Sequence, residues 1–315
     1  MEKIKTYFPN IIGQDSVKRA LSFYIDGHKA NSIVPHLMFT APRGCGKTTM
    51  AEAFARNLKG SDGAPKRLIT LNCAGLKNLN QFFNLFVIPY ISQKDCTVLF
   101  DEASEIPRDV GMALLTILNP NPRNRNEFSY EDFNFEFDFS RQSFMFATTE
   151  GQSIFHALMD RMERIDLAEY EINHLGEILM LGLDGYKVDD DALFEMAKTL
   201  RGNARGAQKM AVKVQQYLDQ NSKTKFTMDN WNELRHALGI IPLGLSNGEV
   251  SLLRILKKKK QTRLTELVAI TGLSRRSIQA DYELFPTKLG LITIQPQGRV
   301  LTGKGQKYLK ELDSE

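Results

Sequence analysis

The feature that most constrains this chain is a glycine-rich stretch, Ala41–Thr49, with the residue spacing of a phosphate-binding loop. It follows the apolar run Leu37–Phe39 and opens an amphipathic stretch that reaches Leu58. Gly44 and Gly46 let backbone N–H groups turn inward without a Cβ clash. Those donors and the positive end of the following helix form a cradle for anions. The sequence therefore predicts a nucleoside triphosphate site between a strand and a helix.

Two side chains of this loop have the chemistry that phosphoryl transfer needs. Lys47 can reach the β- and γ-phosphates of ATP, and the Thr48 hydroxyl can ligate Mg²⁺. Ala41 stands where the pattern has glycine, which is tolerable if this residue keeps a negative φ. A chance glycine-rich turn is the alternative interpretation. The predicted nucleotide contacts of the loop are Arg43, Gly44, Cys45, Gly46, Lys47, Thr48 and Thr49.

A second nucleotide element follows, where the apolar run Val98–Phe100 ends in Asp101 and Glu102. Its position after the phosphate loop makes the pair informative, since carboxylates at strand ends are otherwise common. We predict that Asp101 joins Thr48 in holding the Mg²⁺ shell. Glu102 is expected to orient and deprotonate the attacking water. The alternative is an acidic pair on the surface.

Three more polar positions are candidates for the same site. Thr148 follows the apolar run Phe144–Phe146, so its hydroxyl could sense the γ-phosphate or hold the water. Arg161 is near the end of the α/β pattern, where a guanidinium supplied to a neighbouring subunit could stabilise transition-state charge. Arg205 lies at a predicted helix start and could reach back to the phosphates. For both arginines, an exposed position or a surface ion pair is the alternative.

Composition and charge indicate the cellular compartment of the protein and the kind of partner that it binds. The 315 residues contain no uncharged apolar run long enough to cross a bilayer, and the first residues lack the apolar core of a signal peptide. Three widely spaced cysteines suggest reduced thiols and a cytoplasmic protein, with Cys45 predicted to be reactive beside Lys47. Residues 243–315 hold thirteen Lys/Arg against seven Asp/Glu. This basic third is expected to contact a polyanion, and a solvated surface is the alternative.

The apolar patterns divide the chain into three predicted domains. Residues 1–167 alternate strand-like runs with helical stretches, which predicts an α/β fold with a parallel sheet covered by helices. Within them, Tyr130–Phe139 alternates aromatic and polar residues, as in an exposed strand or a short hairpin. Residues 168–241 show three- and four-residue apolar spacing, typical of a small helical bundle. Residues 242–315 predict a helix-turn-helix and then a strand–turn–strand, the layout of a winged helix.

The winged-helix part carries the candidate DNA contacts. Lysine and arginine bind phosphates largely without regard to base sequence, so such a surface would be salt-sensitive. The run that begins at Lys257 has a plain solvated loop as its alternative. The predicted DNA-binding residues are Lys257, Lys258, Arg275, Arg276 and Arg299.

Together these elements resemble the AAA+ ATPases, and in particular the RuvB family of Holliday-junction branch-migration motors. The resemblance runs over nearly the whole chain. Gly44–Thr49 is similar to the family's Walker A motif, Asp101 and Glu102 to its Walker B motif, and the segment around Thr148 to its sensor-1 motif. The domain order of ATPase, helical lid and winged helix is also similar. ATP and Mg²⁺ are the implied cofactors.

The same resemblance implies further roles. Arg161 matches the position of the arginine finger, and Arg205 matches the sensor-2 arginine. The entry motif would border the adenine through Ile11 and Ile12, and Tyr170 falls where the family places a tyrosine against the adenine.

The implied function is an ATP-driven DNA translocase that acts as a hexameric ring on double-stranded or junction DNA in recombination, repair or replication. Residues 134–142 are much shorter than the family's hairpin that docks its partner RuvA, which puts a RuvA-like partner in doubt. One alternative is an AAA+ loader or switch that recruits another protein to DNA. Another is a winged-helix regulator with a vestigial ATPase, against which the complete set of catalytic residue types argues.

Overall fold

The computed structural model describes residues 2–118, 125–130, 133–138 and 142–314. The chain divides into two compact units. The first comprises Met1–Ile178 and Gly202–Gln208, and the second comprises Leu179–Arg201 and Lys209–Glu315. The three-domain division at residues 167 and 241 stays a prediction. Among the described residues, no helix is both long and apolar enough to cross a membrane.

A parallel sheet forms the centre of the first unit. The strands described there are β1 (Leu37–Thr40), β2 (Arg67–Asn72), β3 (Cys96–Asp101), β4 (Arg125–Tyr130), β5 (Phe133–Asp138), β6 (Gln142–Thr148) and β7 (Glu163–Asp166). Five of them form one sheet in the order β2-β3-β6-β1-β7, with every neighbouring pair parallel. The α/β fold class predicted from the sequence is confirmed.

The predicted strands and the observed strands differ at one edge of this sheet. The apolar runs Leu37–Phe39, Val98–Phe100 and Phe144–Phe146 lie within β1, β3 and β6, as expected for strands. Strand β7 was not predicted, because Ile165 is its only apolar residue and its only buried one. Within the predicted aromatic segment Tyr130–Phe139, residues 133–138 form one strand, β5, and it pairs in antiparallel register with β4, which lies almost wholly before that segment. Positions 131–132 and 139–141 of that region lie outside the described residues.

Alternation along the central strands sends side chains into two separate cores. Phe100 and Phe146 face one core, where their rings stack with centroids 4.7 Å apart. Leu99 and Met145, one position away, face the other core beside Phe54. Successive side chains of a strand point to opposite faces, so a sheet buried on both sides needs continuous apolar strands. This is why β1 and β6 are buried along their whole length.

Helices cover both faces of the sheet. They are α1 (Glu2–Tyr7), α2 (Asp15–Asn31), α3 (Lys47–Ala55), α4 (Leu79–Phe82), α5 (Arg108–Ile117) and α6 (His156–Met159), followed by α7 (Ile172–Gly182), which ends in the second unit. α4 continues as a π-helical segment, Phe83–Ile91, that contains Pro89. Proline has no N–H to donate, so a regular α-helical ladder cannot run through this position.

The second unit begins with helices joined by a two-stranded pairing. Its elements are β8 (Lys187–Val188), α8 (Asp190–Lys198), α9 (Ala204–Gln220, whose first turn belongs to the first unit), β9 (Lys225–Phe226) and α10 (Met228–Ala237). Thr227 caps α10 in a reciprocal capping box with Asn230. Trp231 is buried on the inner face of this helix.

The rest of the second unit has winged-helix topology. It contains α11 (Asn247–Lys259), β10 (Gln261–Thr262), α12 (Leu264–Thr271), α13 (Arg275–Ser277), a π-helical segment (Ile278–Glu283), α14 (Leu284–Lys288), β11 (Ile292–Gln295), β12 (Gly298–Leu301) and α15 (Gly303–Leu312). Gly272 ends α12 at φ +71°, a left-handed turn that suits glycine. The predicted helix–turn–helix and hairpin are confirmed, and β10 and α15 are additions.

One histidine at the start of the sheet links stability to pH. The His36 side chain packs edge-on against Phe144, and its Nδ1 is buried without a hydrogen-bond partner among the described residues. Burial lowers the pKa of His36 to about 4. The unfolded chain therefore binds a proton near pH 6.5 that the folded chain does not bind until about pH 4.

We expect the free energy of unfolding to fall by up to about 3 kcal/mol from this residue as the pH drops from 6.5 towards 4. The contribution is complete above pH 6.5. Urea unfolding of the wild type and of His36→Phe across this range should show the loss only in the wild type. His156→Phe, which replaces an exposed histidine, is the control and should keep the wild-type pH dependence. An identical slope in His36→Phe would contradict the assignment.

Candidate functional site

The phosphate-loop sequence forms the turn between β1 and α3. Gly44 and Gly46 have φ values of +79° and +85°, a region that other residues rarely adopt. Gly46 is the N-cap of α3, so the free N–H groups of that helix open into the loop. Ala41 is not among the described residues that have a positive φ, so it meets the condition under which alanine is tolerable at this position. The loop geometry therefore suits an anion.

Lys47 lies in the first turn of α3 and is held at the loop. Its Nζ donates to the carbonyl oxygens of Ala41 and Pro42 at 3.0 and 3.2 Å. Burial lowers the pKa of Lys47 below its usual range, while Cys45 and Asp101 oppose that shift. The ammonium is thus a partly desolvated cation, and a cation in that setting attracts phosphate more strongly than one in bulk water.

The carboxyl end of β3 brings the two predicted acids to the loop. Thr48 Oγ1 donates to Asp101 Oδ2 at 3.0 Å, and the Glu102 amide donates to Asp101 Oδ1 at 3.0 Å. Glu102 itself is exposed and has φ +54°, a left-handed conformation that costs energy for a residue with a side chain. The structure therefore joins Thr48 and Asp101 directly and ends the strand sharply at Glu102.

A cavity of about 410 Å³ lies over these groups. Thr148 and Thr149 both line it, but the Thr148 side chain is buried, and its hydroxyl accepts from the Glu150 amide at 2.9 Å. Thr149 is exposed. Thr149 follows the strand that ends in Thr148, so the sequence could have indicated both residues, but only Thr148 was predicted as a site residue. The lining residues are Arg43, Gly44, Lys47, Thr48, Ala74, Asp101, Glu102, Ser104, Glu105, Ala147, Thr148, Thr149, Glu150 and Arg205.

Arg205 reaches this cavity because its segment packs on the phosphate loop. The Arg205 amide donates to Gly44 O at 3.3 Å. A Cβ on Gly44 would overlap the Asn203 side-chain amide, so only glycine fits beneath it. Cys45 is 1% exposed, with its Sγ 3.8 Å from Gly202 O, so the reactive thiol predicted from sequence is enclosed. Asn203 was not predicted, since nothing in the sequence marks the contact.

The two segments that carry the predicted base-side residues are joined through Gln14 and Ala168. The Gln14 side chain donates to Ala168 O at 2.7 Å and accepts from the Ala168 amide at 3.1 Å. Burial raises the pKa of Tyr170, whose hydroxyl lies 3.4 Å from the place a Cβ on Gly46 would take. Two other predicted residues, Ile11 and Ile12, are partly buried next to Gln14 in sequence. None of the three predicted residues lines the cavity described above.

Arg161 follows α6 and does not line that cavity. Its Nη1 donates to Ala157 O at 2.5 Å, and its Nε is buried with no hydrogen-bond partner among the described residues. Part of the guanidinium's donor capacity is therefore unused among the residues that the structure describes. Thr49, which was predicted as a nucleotide contact of the loop, is exposed on α3 and directly follows Thr48.

The basic residues of the winged helix have different surroundings. Arg275 and Arg276 are exposed at the start of α13, with no ion-pair partner in the described part of the chain. Lys258 is exposed in the same way at the end of α11. Lys257 lies 3.5 Å from the Asp313 carboxylate in an exposed pair. These four side chains leave cations on the surface.

Arg299 differs from the other four. Its Nε and Nη2 donate to the two carboxylate oxygens of Glu283 at 2.7 and 2.9 Å, and the side chains are only 11% and 5% exposed. A buried bidentate pair of this kind holds the wing against the preceding helical segment. Its guanidinium is therefore committed to a carboxylate, and we leave Arg299 out of the DNA contacts proposed below.

Comparison with known proteins agrees with this geometry. A model of the ATPase family associated with various cellular activities (AAA) matches residues 37–170, and a model of the RuvB C-terminal winged helix domain matches residues 242–310. Residues 37–170 are thus an AAA ATPase domain, which supports an ATP-hydrolysing P-loop enzyme.

Relatives of known identity match over nearly the full length. The Holliday junction branch migration complex subunit RuvB of Fusobacterium nucleatum is 24% identical over 97% of this chain and 92% of its own. The protein of the same description from Campylobacter jejuni strain RM1221 is 26% identical over 96% and 90%. The structure of the Thermotoga maritima RuvB Holliday junction branch migration motor has a TM-score of 0.72 at 23% identity, covering 95% of each chain. The chain is therefore similar to RuvB proteins over nearly its whole length, and residues 242–310 match the RuvB winged-helix family.

Proposed function

We propose that this protein is an ATP-driven translocase that acts on double-stranded or junction DNA. The observation that carries the proposal is the full-length match to relatives described as subunits of a Holliday junction branch migration complex. Two features of the chain support it. A cavity lined by acidic and basic side chains lies in one unit. The other unit holds a winged helix with exposed arginines that have no ion-pair partner among the described residues.

The cavity supports binding of ATP with Mg²⁺. Thr48 Oγ1 and Asp101 Oδ2 lie 3.0 Å apart, and hydroxyl and carboxylate oxygens are the ligand types that Mg²⁺ prefers. When bound, the ion would neutralise charge on the phosphates. Lys47 and the loop amides of Gly44 and Gly46 would bind the phosphate oxygens. The Asn203 side chain would cover the loop at Gly44, and Arg205 would place a second cation at the cavity wall.

Glu102 would act on the attacking water. It is the exposed carboxylate directly after Asp101, and it lines the cavity. Asp101 is less suited to this role because Thr48 and the Glu102 amide already hold both of its oxygens. Thr148, with Thr149 beside it, would orient the γ-phosphate or the water from the neighbouring strand end. Ile11, Ile12 and Tyr170 would enclose the adenine.

The proposed assembly is a hexameric ring in which Arg161 completes the site of a neighbouring subunit. Two observations support a role in trans. Arg161 does not line the cavity of its own chain, and its Nε has no partner among the described residues. A guanidinium that meets the γ-phosphate across an interface would link hydrolysis to contact between subunits.

The winged helix would grip the DNA backbone. The proposed contacts are Arg275, Arg276, Lys257 and Lys258, with the two arginines at the start of α13 as the principal pair. These arginines have no competing carboxylate in the described structure, so they can bind phosphate without first breaking an ion pair. Binding of this type should be strong at low salt and weak at high salt.

Removal of the proposed base should separate binding from hydrolysis. We expect Glu102→Gln to bind ATP with near-normal affinity and to lose about 10²- to 10⁴-fold in kcat, because the amide cannot accept the proton from water. Fluorescent-nucleotide titration and phosphate release measure the two quantities. Glu105→Gln, at another carboxylate of the same cavity, is the control and should keep its turnover. Normal turnover in Glu102→Gln would refute the assignment.

A mixing experiment tests whether Arg161 acts in trans. Arg161→Ala should lose about 10³- to 10⁵-fold in turnover, since the transition-state charge is no longer stabilised. Mixed oligomers of Arg161→Ala and Glu102→Gln should regain activity, because some interfaces then combine an intact base with an intact finger. If the mixture is as inactive as each variant alone, while both still assemble, Arg161 acts within its own subunit.

Loss of the exposed arginine pair should weaken DNA binding and its salt dependence. For the double variant Arg275→Ala, Arg276→Ala, we expect the slope of log K against log salt to become shallower by about 2. Anisotropy titrations with duplex and four-way junction DNA measure this. The double variant Lys209→Ala, Lys213→Ala removes the same charge from exposed positions of α9 and should keep the wild-type slope. An unchanged slope in the arginine variant would place the grip elsewhere.

A further inference from the structure

Arg201, which has no role in the site above, is held by three elements of the second unit. Its Nε donates to Gly244 O at 2.7 Å, just before α11. Its Nη1 donates to Glu249 Oε1 at 3.1 Å, and its Nη2 pairs with the other oxygen of that carboxylate in the first turn of α11. The guanidinium also lies over the ring of Phe285 in α14, with Cζ 4.2 Å from the ring centroid. Arg201 is therefore fixed to the winged helix, and we call its contacts with Gly244, Glu249 and Phe285 the clamp.

The carboxylate in this clamp is fully buried. Glu249 is 0% exposed, and its carboxylate also accepts from the Ser246 amide at 2.6 Å, within the capping box of α11. A buried carboxylate is costly unless a cation balances it. The planar fork of Arg201 meets both oxygens at once, which a lysine cannot do. The attachment is therefore strong and directional.

Three of the four residues that follow Arg201 contact the phosphate loop of the first unit. Cys45 Sγ lies 3.8 Å from Gly202 O, the Asn203 side chain lies against Gly44, and the Arg205 amide donates to Gly44 O at 3.3 Å. No long linker intervenes. Arg201 itself has φ +54°, a left-handed conformation that a residue with a side chain holds only when its contacts require it.

We propose that Arg201 is a positioning residue that couples nucleotide at the phosphate loop to the winged helix. This inference rests on the proposed function. A shift of residues 202–205 on nucleotide binding pulls on Arg201 within a few peptide bonds. Because Arg201 is fixed to Gly244 and Glu249, the winged helix follows the shift. Without the clamp, the segment moves alone and the DNA-binding surface does not respond.

Thermodynamic linkage gives the test. DNA affinity of the full chain is measured by anisotropy with and without a non-hydrolysable ATP analogue, and analogue affinity is measured with and without DNA. The two ratios must agree in the wild type, since coupling between two ligands is reciprocal. A ratio of about 5- to 150-fold is typical of such coupling.

In Arg201→Gln we expect the ratio to fall below about 2-fold, while each ligand measured alone keeps its affinity within about 3-fold. Glu249→Gln retains a side chain that can complete the capping box but removes the charge, and it should lower the ratio in the same way. The control is Arg254→Ala, at another ion-paired position of α11. It removes an ion pair with Asp313 that is more exposed than the pair of Arg201 with Glu249, and it should leave the ratio unchanged. If Arg201→Gln does not fold, Arg201→Lys replaces it in the same measurement.

The outcomes separate the inference from the function on which it rests. A wild type that does not bind DNA overturns both. A wild type that binds DNA with no dependence on nucleotide overturns the coupling alone. Variants at Arg201 and Glu249 that lower the melting temperature but keep the full ratio would show that the clamp only stabilises the second unit.

Discussion

The register of the parallel sheet is the constraint on which the site depends. Thr40 pairs with Thr148, and Asp101 pairs with Ala147, so three strands end within one residue of each other at the same edge. The phosphate loop leaves the first of these strands, and the acids and threonines leave the others. A shift by one residue would turn Asp101 towards the opposite face, because side chains alternate along a strand. The Thr48–Asp101 hydrogen bond is a direct consequence of this alignment.

Arginine illustrates how surroundings, more than residue type, decide a role in this protein. Arg299 and Arg201 both meet buried carboxylates, and both are fixed inside the second unit. Arg275 and Arg276 have no carboxylate partner in the described structure and remain on the surface. Arg161 has a buried Nε that makes no hydrogen bond within the described part of the chain. The guanidinium is always charged, so its contribution depends on whether a carboxylate already occupies its donors.

Much of the fold was predictable because its signals are local. The loop glycines, the buried strands β3 and β6 and the helix–turn–helix of residues 264–284 all follow from patterns within a few residues. β7 was missed because an edge strand with one apolar residue has no such pattern. The covering of Gly44 by Asn203 and the enclosure of Cys45 were also out of reach. Those contacts join positions about 160 residues apart, and no local rule connects them.

The sequence by itself determined the kind of chemistry: a loop that can hold phosphates, two acids after a buried strand, and a basic winged helix. These follow from backbone freedom at glycine, from the period of apolar residues and from charge. Only the tertiary structure decided which of these side chains share a cavity and which are committed elsewhere. It joined Thr48 to Asp101, paired Arg299 with Glu283 and fixed Arg201 to Glu249. The reason is that a polar side chain is available for function only after its nearest neighbours are known, and packing sets those neighbours.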